Sequence, residues 1–196
     1  MTSLIMLTPI ACVVVFGEPF FALWVPTQDA RLLHILSFLA IFAYMFTSGT
    51  QILYNVFNTV NKVKTNSIVV VASGVFSILL TIALIRYSNI GIYAVAGIST
   101  IVTLLRNMLF TLPMTAIYLG FSWKRFYPQV IKTITVSIIL IIIGICIKPY
   151  VKTDTWINLF ISVVLYSVIS MLVSSFLLLN KDERLILFRR LSARIN

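Results

Sequence analysis

The sequence predicts an all-α, polytopic bundle of transmembrane helices, and three observations predict it. Hydrophobic residues fill 60% of the 196 positions and charged residues only 10%, far from the balance of a water-soluble domain. The apolar residues fall into six long runs, and nearly all the charges gather in the gaps between them. Runs so many and so long cannot share one water-solvated core. Hydrocarbon must surround most of them, and there a helix satisfies its own backbone hydrogen bonds.

The first run, Ser3 to Phe16, is dented by Pro9 and short of the roughly 20 residues that cross about 30 Å of hydrocarbon. The aromatic patch Phe20 to Trp24 extends it to about 3–25. The second run is Leu32 to Val60 and the third Ser67 to Ile85. The fourth, Ile92 to Leu119, holds Arg106 and no other charge. Val130 to Ile147 and Trp156 to Leu179 complete the six runs. Residues 180–196 then form a basic tail. Asn180 is placed to cap a helix with Glu183 returning the bond; Leu185, Phe188 and Leu191 share one face, and Arg184, Arg190 and Arg194 lie away from it. An amphipathic helix on an anionic leaflet is expected there.

Charge sets the expected orientation. Apart from Arg106, the odd-numbered loops carry Arg31, Arg86, Lys148 and Lys152. The even-numbered loops and the tail carry Lys62, Lys64, Lys124, Arg125, Lys132, Lys181, Arg184, Arg189, Arg190 and Arg194. Positive residues stay inside, so both termini are expected in the cytoplasm, with Trp24, Tyr150 and Trp156 at the outer interface. The formal net charge of +10 is spread among these gaps rather than along a groove, which argues for lipid headgroups and against nucleic acid.

Arg106 and Asn107 lie deep in the fourth run, roughly 20 Å from its outer end at 1.5 Å per residue. A guanidinium does not lose its proton, and ionisable groups inside a span mark functional sites. Binding an anion in a cavity is one use for it. Snorkelling to the inner headgroups is another, as is satisfying the carbonyl of Leu109 that Pro113 leaves without a donor.

The inner half of the second run is polar. On one continuous helix, Tyr44, Thr47, Gln51, Asn55, Asn58 and Lys62 would form a single stripe. Amides facing lipid would be unpaired, so the stripe is expected to face either a water-filled cavity or neighbouring helices. Tyr44, Gln51, Asn55, Asn58 and Lys62 therefore join Arg106 and Asn107 as candidate substrate-binding residues. Ser73, Ser77 and Thr81, and likewise Ala96, Thr100 and Thr103, have the spacing of close helix packing.

Catalytic chemistry is not expected. His34 is the sole histidine, Cys12 and Cys146 lie in apolar runs, and Glu18, Asp29 and Asp154 sit at outer ends or loops. No nucleophile–base pair, metal site or cofactor motif emerges. An integral-membrane transferase would need clustered His, Asp or Glu at one face.

The segment Ile90-Gly91-Ile92-Tyr93-Ala94-Val95-Ala96-Gly97-Ile98-Ser99-Thr100 resembles the loop-and-helix signature of Wzx-type polysaccharide flippases of the multidrug/oligosaccharidyl-lipid/polysaccharide exporter superfamily. Arg106-Asn107-Met108-Leu109-Phe110-Thr111-Leu112-Pro113, continuing to Phe126-Tyr127-Pro128, is similar to the next segment of such proteins. Glu18 to Trp24 resembles their aromatic outer loop, and Lys181-Asp182-Glu183-Arg184 their charged exit.

The resemblance implies a transporter of the bacterial cytoplasmic membrane. Its substrate would be polyprenyl-diphosphate-linked oligosaccharide, moved to the outer leaflet for O-antigen or other surface polysaccharide. Arg106 matches a position that is often basic and would meet the diphosphate. Where an Asn is common in the third span this chain has Ser77. Such flippases have two lobes, and this chain resembles the C-terminal one. The missing lobe is therefore expected either upstream, the chain being a fragment, or from a second copy. A multidrug exporter of the same superfamily is the rival; it ordinarily wants an intramembrane carboxylate, which these spans lack.

Overall fold

Helix α1, Thr2–Trp24, runs unbroken through Pro9 and Pro19, so the short first run and the aromatic patch beyond it form one span. Pro removes a helical hydrogen bond, but unwinding in lipid would free more backbone groups than the ring does. The computed structural model describes residues 2–48, 51–87 and 91–179; the basic tail, 180–196, lies outside them. Among the described residues there is no strand, and six helices are long and apolar enough to cross a membrane.

Helix α2, Ala30–Thr47, opens on an Asp29 cap whose carboxylate accepts from the N–H groups of Arg31 and Leu32 at 2.9 and 3.1 Å. The second span is not the continuous helix expected over 32–60. It stops at Thr47, and a 3₁₀ turn, Gln51–Leu53, leads into the short helix α3, Tyr54–Thr59. The local cause is readable. The Thr47 hydroxyl bonds back to Ala43 O at 3.0 Å, and Ser48-Gly49-Thr50 comes next, a run of residues that favour other conformations over a helix. Helix α3 closes on a left-handed Asn61, with Lys62 N–H donating to Phe57 O at 2.8 Å. Asn tolerates this conformation better than other side-chain-bearing residues.

Helix α4 spans Val63–Tyr87 and α5 Ile92–Arg106. A π turn, Asn107–Thr111, joins α5 to α6, Leu112–Tyr118. Helices α7, Tyr127–Ile147, and α8, Trp156–Leu178, complete the bundle. Thr155 caps α8 through the Asn158 N–H.

The main core lies where α1, α7 and α8 meet, around Leu7, Val15, Phe16, Leu140, Leu159 and Tyr166. Tyr166 satisfies its hydroxyl on Leu140 O at 2.8 Å and sets its ring edge-on to Phe16. Helix α2 packs on α1 and also on α5, and α5 in turn carries α4. That leaves α4 at the flank of the bundle, where Ser77 is its buried residue and most of its large apolar side chains are exposed. In hydrocarbon such a surface costs little.

Both ends of α7 are fixed by lysines. The ammonium of Lys132 donates to Leu178 O at 3.0 Å, complementing the carbonyl end of α8. Lys148 pairs with Glu18 of α1 at 3.3 Å. His34 reaches from α2 to Val14 O at 3.0 Å, where Gly17 leaves room: a Cβ there would stand 2.5 Å from the imidazole. The sole histidine is thus an interhelical fastener.

Candidate functional site

The π turn originates in Pro113. A helix continued through proline would lack the N–H of that residue and crowd the carbonyl four positions back. One extra residue in the turn relieves this, and the Leu112 N–H donates to Asn107 O instead of to Met108 O. Met108 O is then stranded: its α-helical donor is engaged, and the next residue along is Pro113. The Tyr127 hydroxyl, from the first residue of α7, fills the vacancy at 2.7 Å. Phenylalanine at position 127 leaves that carbonyl unsatisfied. Its expected cost is about 1 kcal/mol, read as a lower unfolding midpoint together with faster amide exchange over residues 107–114.

Arg106 sits where α5 enters this turn. Its Nη1 donates to Ser73 Oγ on α4 at 3.2 Å, and its Nη2 donates to the Tyr54 hydroxyl on α3 at 3.4 Å. The Tyr54 hydroxyl in turn donates to Asn107 Oδ1, which also accepts from Thr111 Oγ1 at 3.3 Å. Nε of Arg106 is buried and, among the described residues, has no hydrogen-bond partner. Among the described residues no carboxylate pairs with the guanidinium. A permanent cation, partly buried, is therefore held by neutral hydroxyls alone, with donors to spare. Such a group attracts an anion.

No family model matches the chain, and no solved structure matches it. Among curated proteins it is similar to the uncharacterized membrane protein EpsK of Bacillus subtilis (strain 168), with 22% identity over 191 residues. That match covers 97% of this chain and 37% of the relative, so the chain spans little more than a third of the relative's length. Six apolar helices and this likeness agree. The chain is a multi-pass membrane protein.

Of the candidate substrate-binding residues, the structure brings Arg106 and Asn107 together, and Asn107 is only 2% exposed. The others do not form one stripe with them. Tyr44 lies before the break in the second span and is 46% exposed; Asn55, Asn58 and Lys62 lie beyond it, and all three are exposed. Gln51 begins the 3₁₀ turn, and its side chain lies outside the described residues. The stripe depended on unbroken 3.6-residue periodicity, which the turn at 51–53 interrupts. The Arg106 guanidinium bonds to hydroxyls on α3 and α4.

Tyr54, Ser73 and Thr111 were not among the candidates, although each touches this group. Thr111 had a readable signal. Asn107, Thr111 and Thr115 recur every four residues, and all three are buried, so the polar stripe belongs to the fourth span rather than the second. Ser73 has the spacing of a packing face and also serves Arg106. Tyr54 is one of the polar residues in the inner half of the second run but lies outside the expected stripe, and its contact with Arg106 accompanies the break in that span.

Proposed function

We propose that this chain is one lobe of a transporter that moves polyprenyl-diphosphate-linked oligosaccharide from the cytoplasmic to the outer leaflet of a bacterial inner membrane. No bond is made or broken; two lobes rock about the bound headgroup. The second lobe is supplied either by the same polypeptide or by a second copy. The observation that carries the reading is Arg106, a cation inside a span whose partners are the neutral hydroxyls of Ser73 and Tyr54 and whose Nε is unpaired. A diphosphate offers the charge and the oxygens that such a donor set lacks. The likeness of residues 90–113 to Wzx-type flippases supports the choice of a lipid-linked glycan over other anions.

Cation-coupled drug export fits less well. Among the described residues the acidic groups are Glu18, paired with Lys148, the α2 cap Asp29, and Asp154 in the turn before α8, and none of them joins the Arg106 group.

The test is leaflet translocation in proteoliposomes holding the full-length protein. A fluorescent prenyl-diphosphate oligosaccharide should become accessible on the far side, while a lipophilic cationic dye should not be moved. Transport of the dye and not of the diphosphate lipid would overturn the proposal.

A further inference from the structure

We propose that Tyr54 is a displaceable occupant of the Arg106 site, holding the guanidinium edge that an incoming phosphate must take. The inference rests on the proposed anion-binding role of Arg106 and adds how that site is kept closed when empty.

A guanidinium can grip two oxygens of a phosphate through the parallel N–H groups of Nε and Nη2. In this structure Nη1 is committed elsewhere, to Ser73 on α4 at 3.2 Å. The Nε–Nη2 edge is left for a ligand. Nε is buried and unpartnered among the described residues, and Nη2 is met at 3.4 Å by the Tyr54 hydroxyl. That is long for a hydrogen bond. One half of the fork is therefore empty and the other half weakly held.

The same hydroxyl donates to Asn107 Oδ1, so the tyrosine is tied at both ends while it occupies the edge. Asn107 does not depend on it: Thr111 Oγ1 donates to the same oxygen at 3.3 Å and remains when Tyr54 leaves. Displacement also leaves α3 in place. One turn further on, Phe57 is fully buried, stacked on Phe110 at 6.1 Å and edge-on to Tyr118 at 5.8 Å. Tyr54 can rotate about its own side-chain bonds while Phe57 holds the helix. A phosphate that bridges Nε and Nη2 makes two ion-to-ion hydrogen bonds, in place of one long bond from the guanidinium to a neutral hydroxyl and the Tyr54–Asn107 bond, so it wins the exchange. A neutral polar headgroup has no such advantage and is turned away.

The experiment is equilibrium binding to the full-length protein in nanodiscs, with inorganic diphosphate and farnesyl diphosphate as separate probes. Tyr54→Phe keeps the ring and removes the hydroxyl; it should bind about tenfold more tightly than wild type, the worth of one hydrogen bond to a charged group. Tyr54→Met, which also lacks a hydroxyl, should show a gain, and Arg106→Gln should abolish binding in every background. A gain with both probes assigns the site to the diphosphate itself; a gain with farnesyl diphosphate alone assigns it to a lipid headgroup. Either supports the proposal. Unchanged or weaker binding in the Tyr54 variants, with Arg106→Gln still inactive, overturns the displaceable tyrosine and leaves the anion site standing. Binding by wild type and Tyr54→Phe no greater than that of Arg106→Gln overturns both.

Discussion

Arg106→Ala is expected to abolish translocation of the diphosphate lipid while the protein inserts and accumulates normally. Loss of one partner from a desolvated, hydrogen-bonded charge pair costs about 2–5 kcal/mol, so transport should fall by about a hundredfold or more. Insertion should not suffer, because an arginine at the centre of a span is itself unfavourable by about 2.5–3.5 kcal/mol on insertion scales. Nor are its partners stranded. Ser73 Oγ also donates to Val70 O at 2.8 Å, and the Tyr54 hydroxyl also bonds Asn107. If Arg106 were instead a clamp joining α3, α4 and α5, its removal would loosen the bundle. Arg106→Ala would then lower the unfolding midpoint in step with activity. Lysine at 106 keeps the charge and loses the fork, and should retain a small part of the transport.

Gly144→Ala should destabilise the bundle with no direct effect on the site. A Cβ at this position would lie 2.2 Å from Val15 Cγ2 and 3.0 Å from the Tyr166 hydroxyl. Val15 belongs to α1 and is buried in the main core. The methyl group must therefore push α1 from α7 and disturb the Tyr166 bond to Leu140 O. Overpacking of this kind costs about 1–3 kcal/mol. Thermal unfolding in detergent should show a clear drop for Gly144→Ala, and Val15→Ala added to it should recover much of the loss. A neutral Gly144→Ala would mean that α1 and α7 do not approach as closely as the structure places them.

The all-α membrane bundle was legible in the sequence because hydrocarbon imposes so few solutions: long apolar runs separated by charged gaps become helices. Asp29, Thr155 and the prolines sit at positions that local chemistry explains. The break after Thr47 was harder to read. Ser48-Gly49-Thr50 weakens a helix, but whether a span stops there depends on what packs around it, and hydropathy alone passes over three residues. That one break dispersed the expected stripe, separating Tyr44 from Asn55 and Asn58 and drawing Tyr54 to Arg106. Depth and charge singled out Arg106 and Asn107 without any contact being known. Tyr127 was out of reach, because its role derives from the stranded carbonyl of Met108. Thr111 and Thr115 were within reach, at four-residue steps from Asn107.

The proposed mechanism requires a phosphorylated headgroup to come to rest beside Arg106. The most direct measurement is photo-crosslinking of the full-length protein in membranes, using a prenyl diphosphate with its photoreactive group next to the phosphates and peptide mapping by mass spectrometry. The mechanism predicts adducts on the segments carrying Tyr54 and residues 106–111, lost in Arg106→Gln and competed by unlabelled prenyl diphosphate. Adducts confined to the outward apolar face of α4, or unchanged in Arg106→Gln, would contradict it.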